Sequence, residues 1–111
     1  MKIKVSELVG RDLDYWVAKA ENINPVFNST GQIITDNHIN FYVSRSWSMA
    51  GPIIQREQIA LDPCVDGAWY AGMSIPTGGG DYEALEMRGE TPLIAAMRCF
   101  VASRFGEEVE I

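Results

Sequence analysis

The spacing of apolar residues predicts a helix close to the start of the chain, after a short strand. The stretch MKIKV alternates lysines with apolar residues, which is typical of a strand at the edge of a sheet. Over residues 7–20 the apolar side chains instead recur every three or four positions, with charged side chains on the opposite side. The pattern therefore predicts an amphipathic helix over residues 7–20.

A second helix is predicted within residues 44–58, where Trp47, Ala50 and Ile54 share helical spacing. Pro52 can be placed in this helix in two ways. It occupies the first helical position after a glycine, or it lies inside a longer helix that begins several residues earlier. The sequence leaves both alternatives open.

The last helix is predicted from the stretch TPLIAAMRCFVASRFG, in which Thr91 can cap the helix and Pro92 suits its first position. Apolar residues occupy all sides of this helix, and two arginines are its only charged residues. A helix of this composition has to be covered on more than one side. We therefore expect it to lie against the sheet and also against another helix or a second subunit, which makes a homodimer one expected outcome.

The other segments are predicted to be strands and loops. Residues 22–45 form either short strands at 32–35 and 40–43 or one long irregular loop. Further on, turn dipeptides and the tip PTGGG separate short strands, and residues 82–88 suit either a strand or a helix. A last strand is expected at EVEI.

This order of elements predicts one α+β domain over residues 1–111. A small antiparallel sheet packed with helices, in an α-β-α sandwich-like arrangement, would bury the apolar sides of all three helices. A chain of this length can bury a core without disulfides or metal.

The charge of the chain limits its partners. Nine lysines and arginines face fifteen aspartates and glutamates, which gives a formal charge of −6. This balance argues against direct binding of nucleic acid, because such binding depends on cations that neutralise phosphates. No apolar run reaches the length of a membrane span, and the start of the chain lacks the apolar core of a signal peptide. We therefore expect no membrane association and a cytoplasmic location with free thiols.

Few residues offer catalytic or metal-binding chemistry. His38 is the sole histidine, and Cys64 and Cys99 do not form a CxxC pair, so the pattern of a metal site is missing. A Cys64–His38 nucleophile pair is the enzymatic alternative, since such partners need only meet in the fold. A loop position for His38 and an apolar core position for Cys99 are the simpler interpretation. We expect neither an enzyme nor a bound cofactor.

Partner binding is the alternative that the aromatic residues suggest. Trp47, Trp69 and Tyr70 are predicted near loops, where aromatics exposed together would form a binding patch, although such side chains also belong commonly to the core. Pro52 marks one predicted helix N-terminus, whose free N–H groups can bind an anion. Acidic residues gather within 81–90 and 107–110, which is typical of a solvated surface or, alternatively, of a face that mimics DNA phosphates.

Three stretches of the chain resemble the NinX-like proteins, a family of small proteins of tailed bacteriophages: LDYWVAKAE, WSMAGPIIQRE and TPLIAAMRCFVASRFGEEVEI. The resemblance covers most of the chain outside residues 22–45 and 75–90. It implies a phage or prophage protein that acts inside a bacterium, and a fold related to phage domains of the α-β-α sandwich type. It supplies no catalytic residues.

Together these features predict a phage or prophage accessory protein, a non-enzymatic module that binds a host or phage protein in the infected bacterium. The candidate partner-binding residues are Trp47, Pro52, Trp69 and Tyr70. The alternative is an acidic anti-defence protein that mimics DNA and inhibits a host nucleic-acid-binding protein. The two predictions differ in geometry, because a DNA mimic needs its carboxylates on one continuous face.

Overall fold

Three α-helices and seven short strands make up the described residues 1–35 and 39–110 in a computed structural model of the chain. Two short 3-10 turns, Val5–Glu7 and Val43–Arg45, join some of them. In chain order the elements are β1 (Lys2–Lys4), α1 (Gly10–Ala20), β2 (Val26–Phe27), β3 (Ile33–Ile34), α2 (Trp47–Glu57), β4 (Ala60–Pro63), β5 (Trp69–Gly78), β6 (Asp81–Gly89), α3 (Pro92–Phe105) and β7 (Glu108–Glu110). The predicted α+β class is confirmed.

The strands form three small antiparallel sheets where the sequence predicted one. The first and last strands, β1 and β7, pair with each other, β2 pairs with β3, and the third sheet has the order β4-β5-β6. Lys2 lies opposite Glu110 and Lys4 opposite Glu108 in the first of these sheets. Opposite charges that face each other across two strands favour this register.

The β5–β6 hairpin is the longest strand pair and forms the centre of the three-stranded sheet. Gly79 and Gly80 make its two-residue turn with φ of 60° and 83°, a conformation that glycine adopts without strain. Residues 82–88, which also suited a helix, therefore form a strand. The register places Ala71 opposite Met87 and Met73 opposite Leu85, and all four side chains belong to or pack against the core.

The apolar helix α3 lies in the middle of the molecule. It packs against the β4–β6 sheet on one side and against α1 and α2 on the other. Its buried residues are Leu93, Ala95, Ala96, Met97, Cys99, Phe100, Val101 and Ala102. The middle layer of the described fold is thus a helix, with the sheet outside it. Because one chain covers both sides of α3, the composition of this helix no longer requires a homodimer.

Side-chain caps set the start of two helices. The Thr91 Oγ1 accepts a hydrogen bond from the Ile94 amide at 3.1 Å, as predicted. The Ser46 Oγ accepts one from the Met49 amide at 3.3 Å, so α2 begins at Trp47 and Pro52 lies inside it. The longer of the two predicted helices is therefore the one that forms.

The segment between α1 and α2 is mostly irregular. Its described part contains β2, β3, an isolated bridge between Ile34 and Asn40, and the 3-10 turn Val43–Arg45. The Asn28 Oδ1 accepts hydrogen bonds from the amides of Thr30 at 3.0 Å and Gln32 at 2.9 Å, which closes the turn between β2 and β3. The start of α1 also differs from the prediction: the helix begins at Gly10, because residues 5–7 form a 3-10 turn.

Candidate functional site

The four predicted partner-binding residues lie on different surfaces. Trp47 is the first residue of α2 and is 56% exposed, and Pro52 is exposed further along the same helix. Trp69 is half-buried against the core, whereas its neighbour Tyr70 faces outward and is 43% exposed. Adjacent residues of a strand point to opposite sides of a sheet. The structure therefore does not join Trp69 and Tyr70 in one patch, and a role for any of the four in binding stays a prediction.

The anion site expected at Pro52 does not form, because no helix begins there. Pro52 lies in the interior of α2, where the preceding residues already belong to the helix. The free N–H groups of α2 are those of its first turn, and Ser46 accepts the hydrogen bond from one of them, that of Met49. Of the two alternatives for Pro52, the helix N-terminus is therefore excluded, because the helix continues through the proline.

The outer face of the β4–β6 sheet carries the exposed aromatics Tyr70 and Tyr82. The inner face of this sheet packs on α3. The register brings Asp62 of β4, Tyr70 of β5 and Arg88 of β6 into one row across the three strands. Tyr82, at the hairpin end of β6, is 70% exposed. The outer face thus combines two tyrosines with charged groups of both signs.

Arg88 orders the centre of this outer face. Its guanidinium carbon lies 5.9 Å from the centroid of the Tyr70 ring, and the guanidinium forms an ion pair with Asp66. Asp66 in turn accepts a hydrogen bond from the Ala68 amide at 3.1 Å. The Ala68 amide and the Arg88 guanidinium together lower the pKa of the Asp66 carboxyl. The carboxylate therefore stays charged at neutral pH and keeps Arg88 beside the Tyr70 ring.

A polar cleft of about 330 Å³ lies between α1 and the segment that leads to α2. Among the described residues, its charged lining residues are Arg11, Asp14 and Arg45. The Arg11 Nη1 donates a hydrogen bond to the Gly31 carbonyl at 3.0 Å, which ties α1 to the turn before β3. Sequence reasoning missed this cleft, because charged residues at the polar positions of a helix usually indicate a solvated side.

Asp14 is the buried carboxyl of this cleft, with 2% of its surface exposed. Its Oδ1 accepts a hydrogen bond from the Ser44 amide at 2.7 Å. Burial raises the pKa of Asp14, because the charged carboxylate loses water, although the hydrogen bond from the Ser44 amide and the Arg45 charge act in the opposite direction. The cleft therefore contains a carboxyl that releases its proton less readily than an exposed aspartate.

A second, more apolar groove of about 500 Å³ runs beside α1. The Tyr15 and Phe27 rings stack in it with centroids 5.9 Å apart, and Trp16 meets Phe105 edge-on at 5.4 Å. Because the rings pack on one another, they hold β2 and the end of α3 against α1.

The cysteines do not form a disulfide, and they differ in environment. Cys99 is buried in α3, where its Sγ donates to the Leu85 carbonyl at 3.4 Å, and burial raises the pKa of this thiol to about 12. Cys64 is half-buried. The Cys64–His38 pair cannot be placed, because His38 lies outside the described residues. Within residues 1–35 and 39–110, no three histidine, cysteine or acidic side chains are grouped as metal ligands.

The acidic side chains of the described residues are spread over several elements, and a number of them have cationic partners. Glu57 forms ion pairs with Arg56 and Arg104, and Arg56 also pairs with Glu21. Glu108 and Glu110 lie opposite lysines in the β1–β7 pair. Separately, none of the helices in the described part of the chain has the length and apolar content of a membrane span.

Comparison with known proteins identifies the family. The sequence matches the family model described as bacteriophage P22, NinX, over residues 4–104. A search of curated proteins finds no match. The matched residues contain all three helices except the last residue of α3, together with the cleft and the outer sheet face. The chain belongs to the bacteriophage P22 NinX family and is a phage-encoded protein.

Proposed function

We propose that this phage protein is a non-enzymatic module that binds a host or phage protein in the cytoplasm of the infected bacterium. The observation that supports the proposal most directly is the outer face of the β4–β6 sheet, with Tyr70 and Tyr82 exposed and Arg88 ordered between strands. Tyrosine and arginine are among the residue types that contribute most to protein–protein binding.

The shape of this face favours a partner that lies flat on the sheet. Gly72, Ser74 and Ala84 occupy outward positions between the two tyrosines, so small side chains separate the large ones. Tyrosine side chains lose little conformational entropy when they are buried, and Arg88 is already held by Asp66. Binding on this face therefore requires little ordering of the protein itself.

The charge of the face indicates the chemistry of the partner. Asp62 and Glu86 are exposed at outward positions, while the one outward cation, Arg88, is paired with Asp66. The face is therefore net negative around its tyrosines. A protein with an apolar patch flanked by lysines or arginines would complement it, since complementary charge steers association and selects partners.

One of the two cysteines is disfavoured as a nucleophile by its environment, whereas the Cys64–His38 pair stays the enzymatic alternative. Cys99 is enclosed in α3 and its raised pKa keeps it protonated at neutral pH. A protonated, buried thiol is not a nucleophile.

Site-specific crosslinking in infected bacteria tests the proposal. A photoreactive phenylalanine analogue replaces Tyr82 on the outer face or, as a matched control, Lys19 on α1 at the opposite side of α3. We expect one protein to be crosslinked from position 82 and not from position 19. Tyr70→Ala should then weaken binding of that purified protein by at least about tenfold, as for a central interface tyrosine, whereas Lys19→Ala should not. Equal crosslinking from both positions, or unchanged binding by Tyr70→Ala, would contradict the proposal.

The DNA-mimic alternative has less support from the described side chains. A mimic needs a continuous row of unpaired carboxylates. Glu21 and Glu57 instead share Arg56, and Glu108 and Glu110 face lysines across the β1–β7 pair. Competition by duplex DNA for the crosslinked partner would favour the mimic, and its absence would favour the module that binds through the outer sheet face.

A further inference from the structure

Two arginines of the polar cleft lack the carboxylate partner that three other arginines of the chain have. Within the described ranges, Arg56, Arg88 and Arg104 each form an ion pair with a carboxylate, whereas Arg11 and Arg45 form none. Both of the latter line the same cleft. In a chain with a formal charge of −6, two unpaired guanidiniums on one cleft form a local positive site.

Aromatic rings contact both guanidiniums and leave most of their N–H donors free. The Arg11 guanidinium carbon lies 5.7 Å from the centroid of the Phe27 ring, and its Nη1 donates to the Gly31 carbonyl. The Arg45 guanidinium carbon lies 5.8 Å from the centroid of the Tyr42 ring, and its side chain makes no hydrogen bond to the described part of the chain. A guanidinium has five N–H donors, so most of them remain available to a ligand.

Asp14 positions the second of these arginines. Its carboxyl accepts a hydrogen bond from the amide of Ser44, the residue before Arg45, at 2.7 Å. This bond fixes the turn Val43–Arg45 against α1. The carboxyl also lines the cleft. With two guanidiniums and one carboxyl among its described lining residues, the cleft has an excess of positive charge there.

We propose that this cleft binds a small anionic group, a phosphate or a carboxylate, through the guanidiniums of Arg11 and Arg45. The planar donors of a guanidinium match the oxygens of both groups. A cleft of about 330 Å³ lies at the small end of the range for ligand sites and is large enough for such a group. The site lies apart from the outer sheet face, so the inference does not rest on the proposed function.

Titration of the full ¹⁵N-labelled chain with inorganic phosphate, and separately with acetate, tests the inference by NMR at constant ionic strength. We expect saturable chemical-shift changes of the Gly31, Tyr42 and Arg45 amides with at least one anion. The anion that binds with the higher affinity identifies the preferred group. Arg45→Gln should weaken this binding on the order of tenfold, as for the loss of a charge-assisted hydrogen bond. Arg88→Gln is the matched control on the outer sheet face and should bind the anion like the unmodified chain.

Asp14→Asn tests whether the ligand of the cleft is negatively charged. The asparagine Oδ1 still accepts the Ser44 amide, but the negative charge in the cleft is removed. At a pH above the range in which Asp14 titrates, anion binding should become several-fold tighter, since a like charge disfavours the ligand, whereas a cationic ligand would bind more weakly. The absence of saturable shifts with both anions would overturn the inference. So would wild-type affinity in Arg45→Gln, or weaker anion binding by Asp14→Asn.

Discussion

Gly89 is the glycine at which adding a side chain should reduce the stability of the fold most. It is the last residue of β6 and is buried where that strand passes the first turn of α3. A Cβ added at Gly89 would lie 2.5 Å from the Ala95 amide nitrogen, 2.9 Å from the Ala95 Cα and 3.0 Å from the Ile94 carbonyl carbon. All three are main-chain atoms, so no side-chain rotation can relieve the contact. In Gly89→Ala the strand and the helix must therefore move apart.

The size of the effect follows from the missing space. Carbon atoms in contact are about 3.5–4.0 Å apart, so β6 and α3 would have to separate by about 1 Å. Overpacking of this kind costs ~1–3 kcal/mol, and the upper half of that range is expected because both partners are backbone in the core. For a chain of this length, ~2–3 kcal/mol lowers the melting temperature by about 10 °C.

Gly72→Ala is a matched control on the neighbouring strand. A Cβ there would lie 3.7 Å from the Glu86 Cγ and 3.8 Å from the Leu85 carbonyl oxygen, which are ordinary contacts. Its melting temperature should be unchanged or slightly raised, since alanine restricts the unfolded chain. Calorimetry and urea unfolding followed by circular dichroism measure both variants. Equal melting temperatures for Gly89→Ala and Gly72→Ala would show that β6 does not approach α3 as closely as described.

Three other measurements examine single groups. Burial raises the pKa of Asp14, so the folded state binds this proton more tightly than the unfolded state. The free energy of unfolding therefore falls as the pH rises through the folded-state pKa of Asp14. Asp14→Asn should therefore reduce the fall in the free energy of unfolding as the pH rises above about 4, the ordinary pKa of an aspartate, measured by urea titration; an unchanged pH dependence would contradict this. Cys99, with its pKa raised to about 12, should be inert to a thiol reagent until the protein unfolds, whereas Cys64 should react in the native state; two thiols reacting at the same native rate would refute the assignment. Thr91→Ala removes the acceptor for the Ile94 amide and should cost about 1 kcal/mol in thermal unfolding, with Thr91→Ser as the control that restores the cap.

The sequence was sufficient for elements whose signals are local. The cap at Thr91 and the proline after it set the start of α3, and the glycines at the hairpin tip set the turn between β5 and β6. The apolar composition of α3 correctly predicted that other elements pack against this helix on more than one side. Each of these features depends on residues within a few positions of one another, so local rules describe them.

The sequence was insufficient where distant segments meet. β1 pairs with β7 at the other end of the chain, and this pairing separates the first and last strands from the three-stranded sheet. The Ser46 cap places the start of α2 before Pro52, so the proline lies inside the helix, where it donates no hydrogen bond. Asp14 occupies a helix position that the sequence pattern does not distinguish from a solvated one, and only the Ser44 turn, thirty residues later, buries it.

The position of α3 has a consequence for the two proposed sites. Arg98, half-buried in this helix, donates to the Leu8 carbonyl at 2.8 Å and to the Arg88 carbonyl at 2.7 Å, so one side chain connects the segment before α1 with the end of β6. The outer sheet face and the cleft are nevertheless held by different neighbours: Arg88 by Asp66, and the turn before Arg45 by Asp14.

Gly89→Ala should therefore affect partner binding at the outer sheet face and anion binding in the cleft differently. The added methyl group displaces the strand next to Arg88, on which the outer face depends, before it affects the turn that Asp14 holds on α1. At a temperature where this variant is still folded, partner binding through Tyr70 should weaken, while phosphate or acetate binding at Arg45 should keep its affinity. Equal loss of both would mean that α3 transmits the displacement through the whole core, and that the two sites respond as one unit.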